Sequence, residues 1–172
     1  MPPHYAKIIY YKPLASFFKH YFTIRSTVEE IVIVSPYLSP LEGSGRTIRA
    51  FCETAKNNRT KIYLISKDPE LPYQFEAIKQ YSNFPNVEIR FNKYLHAKLY
   101  VCKSNQPELS FAMLGSANLT SKSITENIEI ALLIYNKGDG KQIMGDLYKW
   151  ANERLRVSEE TKLIKKIRRE GI

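Results

Sequence analysis

The sequence predicts an α/β domain in which a mixed β-sheet lies between helices. In the first half of the chain, short runs of branched apolar residues alternate with amphipathic stretches, a pattern typical of parallel strands joined by helices. In the second half, apolar runs follow one another across short polar loops, as antiparallel strands do. We therefore expect residues 1–172 to form a single domain, with a C-terminal helical segment at about 141–170.

The first-half elements follow from hydrophobic periodicity. A short strand is expected at 7–11, ended by Pro13, and apolar residues at helical spacing indicate a helix over 14–30. Residues 31–34 are all branched and apolar, as in a strand that is buried on both faces. The same reasoning predicts strands at 61–65 and 87–91 and helices at about 45–56 and 72–81.

The second half predicts an antiparallel hairpin. In segment 95–101, four apolar residues alternate with His96, Lys98 and Tyr100, so these three side chains are expected on one face of a strand. A polar loop at 103–108 and an apolar run at 109–114 complete the hairpin. A further strand at 129–135 and a turn at 138–140 precede the helical segment.

The end of the C-terminal segment is basic, with lysine or arginine at positions 162, 165, 166, 168 and 169. Two explanations stay open at this stage. The charges would complement the negative end of a helix dipole, or they would form an arm that binds a phosphate backbone.

The charge balance favours a polyanionic partner. The 172 residues include 26 Lys and Arg against 17 Asp and Glu, giving a formal charge of +9. Nucleic acid is the first candidate for such an excess, although solvated lysines alone also produce it. The two cysteines, Cys52 and Cys102, form no pair or cluster with zinc-ligand spacing, so we expect reduced thiols and no metal. Without a signal peptide or an apolar run of membrane-spanning length, we expect a cytoplasmic protein with no membrane partner.

One group of residues has the chemistry of phosphodiester cleavage. His96 offers a nucleophile and Lys98 a fixed cation, and a histidine and lysine at this spacing are by themselves usually solvated surface. Downstream, Gly115-Ser116-Ala117-Asn118 adds a tight backbone, a hydroxyl and a carboxamide. A nucleophile, a cation and neutral hydrogen-bond donors together meet the needs of such a site without a metal ion.

The pattern His96-x-Lys98, Gly115-Ser116-x-Asn118 and Asn127-x-Glu129 resembles the phospholipase D superfamily. The resemblance spans residues 31–135 and implies that family's α-β-α layers. Members with one copy of the motif, as here, are mostly small endonucleases that form one site by homodimerisation. The resemblance therefore implies a metal-independent phosphodiesterase, without cofactor, that cleaves DNA or RNA as a homodimer. Lys103 occupies a position where the family's fuller motif has an aspartate, to which a structural role is usually given.

The resemblance also implies a role for each motif residue. His96 of one copy would attack phosphorus to form a phosphohistidine, and His96 of the other copy would protonate the leaving oxygen. Lys98 and Asn118 would hold the non-bridging oxygens, with Ser116 supporting that placement. Glu129 would accept a hydrogen bond from the second ring nitrogen of His96 and fix its tautomer.

Four further residues are candidates for guiding nucleic acid towards the site: Arg46, Arg49, Lys93 and Tyr94. Solvated surface is an equally good explanation for them. Two alternative functions also stay open. One is a catalytically silent nucleic-acid-binding module on the same fold, supported by Lys103, and the other is a lipid phosphodiesterase.

Overall fold

The computed structural model describes residues 5–42 and 47–168, which form a layered α/β structure. The strands are β1 Ala6–Ile9, β2 Val28–Val34, β3 Lys61–Ser66, β4 Val87–Phe91, β5 Leu99–Ser104, β6 Phe111–Gly115, β7 Ala131–Tyr135 and β8 Lys162–Lys165. The α-helices are α1 Pro13–Ile24, α2 Ile48–Asn57, α3 Pro72–Ser82, α4 Ser121–Thr125 and α5 Gly140–Tyr148. A π-helical stretch, Lys149–Leu155, continues directly from α5.

The strands form one mixed sheet in the order β1-β7-β6-β5-β2-β3-β4-β8. Strands β2, β3 and β4 are parallel, as the alternation of the first half predicted. Strands β5 and β6 form the expected antiparallel hairpin, and β5 also runs antiparallel to β2. The predicted mixed-sheet fold class is confirmed.

Helices cover both faces of the sheet, which explains why its central strands are apolar on both sides. On β2, Ile31 and Ile33 join the core beneath α1, α2 and α3, which includes Phe17 and Phe51. The alternate residue Val32 packs in a second core with residues of α5 and the π-helical stretch. A strand buried on both faces must be apolar throughout, because successive side chains point to opposite faces.

The C-terminal segment differs from its prediction. The helix predicted over 141–170 ends at Leu155, and residues 162–165 form strand β8, which pairs antiparallel with β4. Backbone groups along the open edge of β4 need hydrogen-bond partners, and β8 supplies them. The helix-dipole explanation for the basic residues is therefore wrong for Lys162 and Lys165. Lys165 instead donates its ammonium to the carbonyl oxygens of Phe84 and Val87.

Candidate active site

The sequence motif lies at one end of the sheet, where β5 begins, β6 ends and β7 begins. The β-ladder pairs Leu99 with Leu114 and Gly115 with Ala131, so the residues that flank these pairs are neighbours. Just beyond the ladder, the amide of Gly115 donates to the Lys98 carbonyl at 3.4 Å. The amide of Ser116 donates to the Ile130 carbonyl at 3.0 Å. The topology thus brings the three parts of the motif to the same end of the sheet.

His96 and Lys98 precede β5 instead of lying within it. The prediction of a strand from residue 95 is wrong because a turn after β4 controls this segment. The buried Asn92 accepts a hydrogen bond from the Tyr94 amide on its side chain, at 2.9 Å, and from the Leu95 amide on its carbonyl, at 3.2 Å. Leu95 is buried, which anchors the chain immediately before the exposed His96.

The His96 side chain is exposed, and the Lys98 ammonium contacts its backbone. The Lys98 ammonium donates to the His96 carbonyl at 3.2 Å, so the two functional groups belong to one short segment. Within residues 5–42 and 47–168, the His96 ring has no hydrogen-bond partner. The ring is therefore available to a ligand.

Glu129 is the centre of a hydrogen-bond network. Its carboxylate accepts from the hydroxyl of Ser116, from the hydroxyl of Ser123 at 3.1 Å and from the amide of Asn127 at 3.2 Å. The hydrogen bond expected between Glu129 and His96 is not among the contacts of the described chain. Ser123 was missed by the sequence reasoning, because the five-residue helix α4 that carries it is too short to show apolar periodicity.

Gly115 permits the close approach of β6 to β7 that holds this network. A Cβ atom at this position would lie 2.2 Å from the Ile130 carbonyl oxygen, 2.6 Å from the Ala131 Cα and 2.8 Å from the Ala131 Cβ. Backbone atoms cannot yield to such contacts as a flexible side chain can. Position 115 therefore requires glycine for packing.

The loop after β6 is held from beneath by buried polar groups. The Tyr100 hydroxyl donates to the Ala117 carbonyl at 2.8 Å, and the Leu119 amide donates to the Ser35 hydroxyl at 2.8 Å. Burial raises the pKa of Tyr100, so its hydroxyl stays protonated and remains a donor. Tyr100 was predicted on the same strand face as His96 and Lys98. In the structure it is buried and packs against Phe17, because both faces of β5 are covered.

Asn118 combines partial exposure with an unsatisfied atom. Its Oδ1 is buried and has no hydrogen-bond partner in the described part of the chain. An unpaired buried polar atom costs about 1–3 kcal/mol, so native proteins seldom keep one without a reason. Since Oδ1 accepts hydrogen bonds, a phosphate cannot satisfy it. The Asn118 group available to a phosphate is the Nδ2 amide, which donates no hydrogen bond within the described residues.

The residues predicted to guide nucleic acid are dispersed. Lys93 lies in the turn before His96, with its ammonium 4.7 Å from the centre of the Tyr94 ring. Arg49 is engaged on the exposed side of α2, where its Nε donates to Glu53 at 2.8 Å. Arg46 lies outside the described residues.

A metal centre has no support in the part of the chain that the structure describes. No three His, Cys, Asp or Glu side chains there are grouped so that they could hold an ion. None of the helices found in residues 5–42 and 47–168 is both long enough and apolar enough to span a bilayer.

Comparisons with known proteins identify the family. The family model "Cardiolipin synthase, PLD-like domain" matches residues 22–155, so the chain belongs to this phospholipase D superfamily domain family. The resemblance found in the sequence is thereby confirmed. No curated protein matches the chain.

Solved structures share the fold at low identity. The phospholipase D family member Nuc from Salmonella typhimurium aligns with a TM-score of 0.67 at 14% identity, over 93% of this chain and 97% of that one. NucT from Helicobacter pylori aligns with a TM-score of 0.64 at 16% identity, over 92% of this chain and 98% of that one. Phosphatidylserine synthase from Haemophilus influenzae has a TM-score of 0.53 at 16% identity, over 82% of this chain but only 35% of its own.

Proposed function

We propose that this protein is a metal-independent phosphodiesterase that cleaves nucleic acid through a phosphohistidine, with one active site built by two copies of the chain. The observation that carries the proposal is the exposed His96 ring, which has no hydrogen-bond partner within the described residues and lies two residues from Lys98. The Nδ2 donor of Asn118, at the same end of the sheet, also makes no hydrogen bond there. The membership of the phospholipase D superfamily supports the reaction class. The formal charge of +9 supports a polyanionic substrate.

The proposed reaction has two steps. A ring nitrogen of His96 attacks phosphorus, the P–N bond forms, and the bond to the leaving oxygen breaks as that oxygen takes a proton from His96 of the second copy. The latter ring then removes a proton from water, whose oxygen attacks phosphorus and breaks the P–N bond. One imidazole must start neutral and the other protonated, which a coupled pair of like groups achieves near neutral pH.

Lys98 and Asn118 stabilise charge on the phosphoryl group in this proposal. The lysine acts as a point charge on the non-bridging oxygens, and the carboxamide of Asn118 donates a neutral hydrogen bond to them. Ser116 and Glu129 hold each other, so they fix the loop that carries Asn118. In the proposed dimer, Glu129 accepts a hydrogen bond from the second ring nitrogen of a His96 and fixes its tautomer.

The need for a second copy follows from the count of imidazoles. In the described residues the other histidine is His20, whose ring contacts the Ser16 carbonyl at 2.8 Å and the Tyr135 hydroxyl at 3.1 Å. Tyr135 ends β7, whereas the motif lies where β7 begins, so His20 is at the far end of the sheet. Within residues 5–42 and 47–168, a single copy therefore offers no second imidazole near the motif that could protonate the leaving oxygen.

An exposed apolar surface beside the motif suits a second copy of the chain. Leu114, Ile128 and Ile130 flank Ser116 and Glu129, and Ile130 is 58% exposed while Ile128 is fully exposed. We call these three residues the apolar seam. Contact between two seams would bury them and bring both motifs to one axis, as a two-fold dimer requires.

The test is a nuclease assay in excess chelator, on DNA and RNA and on the small substrate bis(p-nitrophenyl) phosphate. We expect cleavage without added metal and its loss in His96→Ala. His20→Gln is the matched control, because it removes the other described histidine but can keep the contacts of that position. Cleavage that requires Mg²⁺ and survives His96→Ala would refute the mechanism.

Two further measurements separate the parts of the proposal. Ile128→Asp should convert a dimer into monomers and reduce cleavage in the same samples, as followed by mass in solution. Phosphate trapped on His96 during turnover would exclude a catalytically silent binding module. Vesicles of phosphatidyl lipids serve as the comparison substrate, and their hydrolysis at rates equal to nucleic acid would favour a lipid phosphodiesterase.

A further inference from the structure

Two exposed tyrosine rings, each beside a lysine, lie at the same end of the sheet as His96. Tyr37 follows β2 and is 43% exposed, and the ammonium of Lys67, which follows β3, is 5.8 Å from its ring centre. Tyr94 follows β4 and is 70% exposed, and the ammonium of Lys93 is 4.7 Å from its ring centre. We call these four residues the tyrosine–lysine track.

The backbone beneath Tyr37 is fixed by hydrogen bonds. The Ser35 hydroxyl donates to the Tyr37 carbonyl at 2.7 Å. The carbonyl of Pro36 accepts from the Ser66 hydroxyl at 3.2 Å and from the Lys67 amide at 3.3 Å. This segment is thus tied to the end of β3, yet its aromatic ring faces solvent.

The backbone beneath Tyr94 is fixed in a similar way. Asn92 accepts from the Tyr94 amide and donates its own amide to the Thr161 hydroxyl at 2.9 Å, and its backbone amide donates to the Ser66 carbonyl at 2.8 Å. A ring held on a rigid turn loses little conformational entropy when it binds a partner. Isolated exposed aromatics need no explanation, but two rings on fixed supports, each with a cation beside it, form a defined surface.

The positions of these segments suit one strand of nucleic acid. The strands β5, β2, β3 and β4 are consecutive neighbours, and their spacing of about 4.8 Å places the Tyr37 and Tyr94 segments roughly 10 Å apart. His96 lies on the crossover from β4 to β5, two residues after Tyr94, so the two Cα atoms are within about 7 Å of each other. The apolar seam lies at β6 and β7, whereas the track lies at β2, β3 and β4. Strand β5 separates the two surfaces.

We propose that the track binds single-stranded nucleic acid, with Tyr37 and Tyr94 stacking on unpaired bases and Lys67 and Lys93 contacting the adjoining phosphates. Aromatic rings combined with basic groups are the usual means of binding a single strand without sequence preference. In a duplex the base faces are covered by neighbouring base pairs, so a duplex can use the lysines but not the rings. This inference rests on the proposed function only in placing the scissile phosphate at His96.

The test compares ring removal with ring retention. Tyr37→Ala and Tyr94→Ala, singly and together, are measured against Tyr37→Phe and Tyr94→Phe, which keep the stacking surface. Binding is followed by fluorescence anisotropy with labelled 12-nucleotide single-stranded DNA and RNA and with the matching DNA duplex. The proteins carry His96→Ala so that the probes stay intact.

We expect each alanine substitution to weaken single-strand binding about fivefold or more, and to change duplex binding less than about twofold. The phenylalanine variants should bind single strands as the parent does. Unchanged single-strand binding in the double alanine variant, an equal loss on duplex, or an equal loss in the phenylalanine variants would overturn the inference.

Hydrolysis of bis(p-nitrophenyl) phosphate, measured with His96 intact, distinguishes this failure from failure of the proposed function. That substrate has no nucleobases, so its hydrolysis by the parent protein reports on the chemistry at His96. If the parent hydrolyses no phosphodiester, the proposed function fails and the anisotropy results still decide the track. If the parent protein hydrolyses the small substrate but the alanine variants bind single strands as tightly as the parent, the proposed function stands and the track is refuted.

Discussion

Gly115→Ala should damage the protein through backbone packing alone. The added Cβ would be 2.2 Å from the Ile130 carbonyl oxygen and 2.6 Å from the Ala131 Cα, so β6 and β7 must separate by roughly 1 Å to restore ordinary contact. That movement would weaken two hydrogen bonds, from the Ser116 amide to the Ile130 carbonyl and from the Ile130 amide to the Ser116 hydroxyl.

The magnitude follows from these contacts. Overpacking in a tight site costs about 1–3 kcal/mol, and each of the two weakened hydrogen bonds adds about 1 kcal/mol, so the free energy of unfolding should fall by about 3–5 kcal/mol. Under the proposed function, a shift of about 1 Å in the Ser116 loop should reduce hydrolysis of bis(p-nitrophenyl) phosphate about a hundredfold.

Gly145→Ala is the matched control for urea denaturation and for the hydrolysis assay. A Cβ at this position of α5 meets nothing within 4 Å. Alanine is favoured over glycine inside a helix by up to about 1 kcal/mol, so this variant should be slightly stabilised and fully active. If Gly115→Ala unfolds at the same urea concentration as the parent and hydrolyses at the parent rate, the packing argument is wrong.

Three further predictions concern other parts of the chain. Asn92→Ala should lower both the free energy of unfolding and the activity, because it removes the side chain that holds the turn before His96. Asn92→Asp should recover activity, because its carboxylate can again accept a hydrogen bond from the Tyr94 amide. Equal kcat in both variants would contradict this. Glu88→Gln should lower the free energy of unfolding, measured in urea, by about 1.5–3 kcal/mol, since Glu88 accepts hydrogen bonds from Arg90 at 2.6 Å and Arg156 at 2.9 Å. Glu53→Gln, in an exposed pair with Arg49, is the control and should cost less than about 0.5 kcal/mol. Cys52 and Cys102 are buried, and burial raises the pKa of both thiols. A thiol reagent at pH 8 should therefore label neither cysteine until urea unfolds the chain. Rapid labelling of the native protein would contradict this prediction.

The parallel half of the sheet could be predicted closely because local signals agree with tertiary packing there. β4 occupies Val87–Phe91 as predicted, and β3 differs by one residue. Strand β3 is a short apolar run, and β4 alternates three apolar residues with Glu88 and Arg90. The start of β5 was misplaced because segment 95–101 alternates as a strand does, while the hydrogen bonds that decide its conformation come from Asn92. A side chain that accepts from the backbone of its own turn leaves no trace in hydrophobic periodicity.

For the candidate site, the sequence placed the motif residues on neighbouring strands but did not give their contacts. Glu129 was expected to accept a hydrogen bond from His96, whereas in the structure it accepts one from Ser116. The contributions of Ser35, Tyr100 and Ser123 depend on contacts between segments that are distant in sequence. Strand β8 was missed for the same reason, since its place is determined by the open edge of β4 and not by its own pattern.

The departure at Lys103 can now be judged by its place in the fold. Lys103 lies near the end of β5, five residues beyond Lys98, which at about 3.4 Å per residue puts it roughly 17 Å from the motif. There its ammonium is 4.8 Å from the centre of the Tyr148 ring, and its strand partner Glu30 accepts from the Tyr148 hydroxyl at 2.5 Å. A lysine is well accommodated between a carboxylate and an aromatic face, whereas an aspartate there would lie opposite Glu30 and repel it. The substitution thus fits the packing of α5 against the sheet. Because it lies far from His96, it offers no reason to regard the proposed phosphodiesterase as catalytically silent.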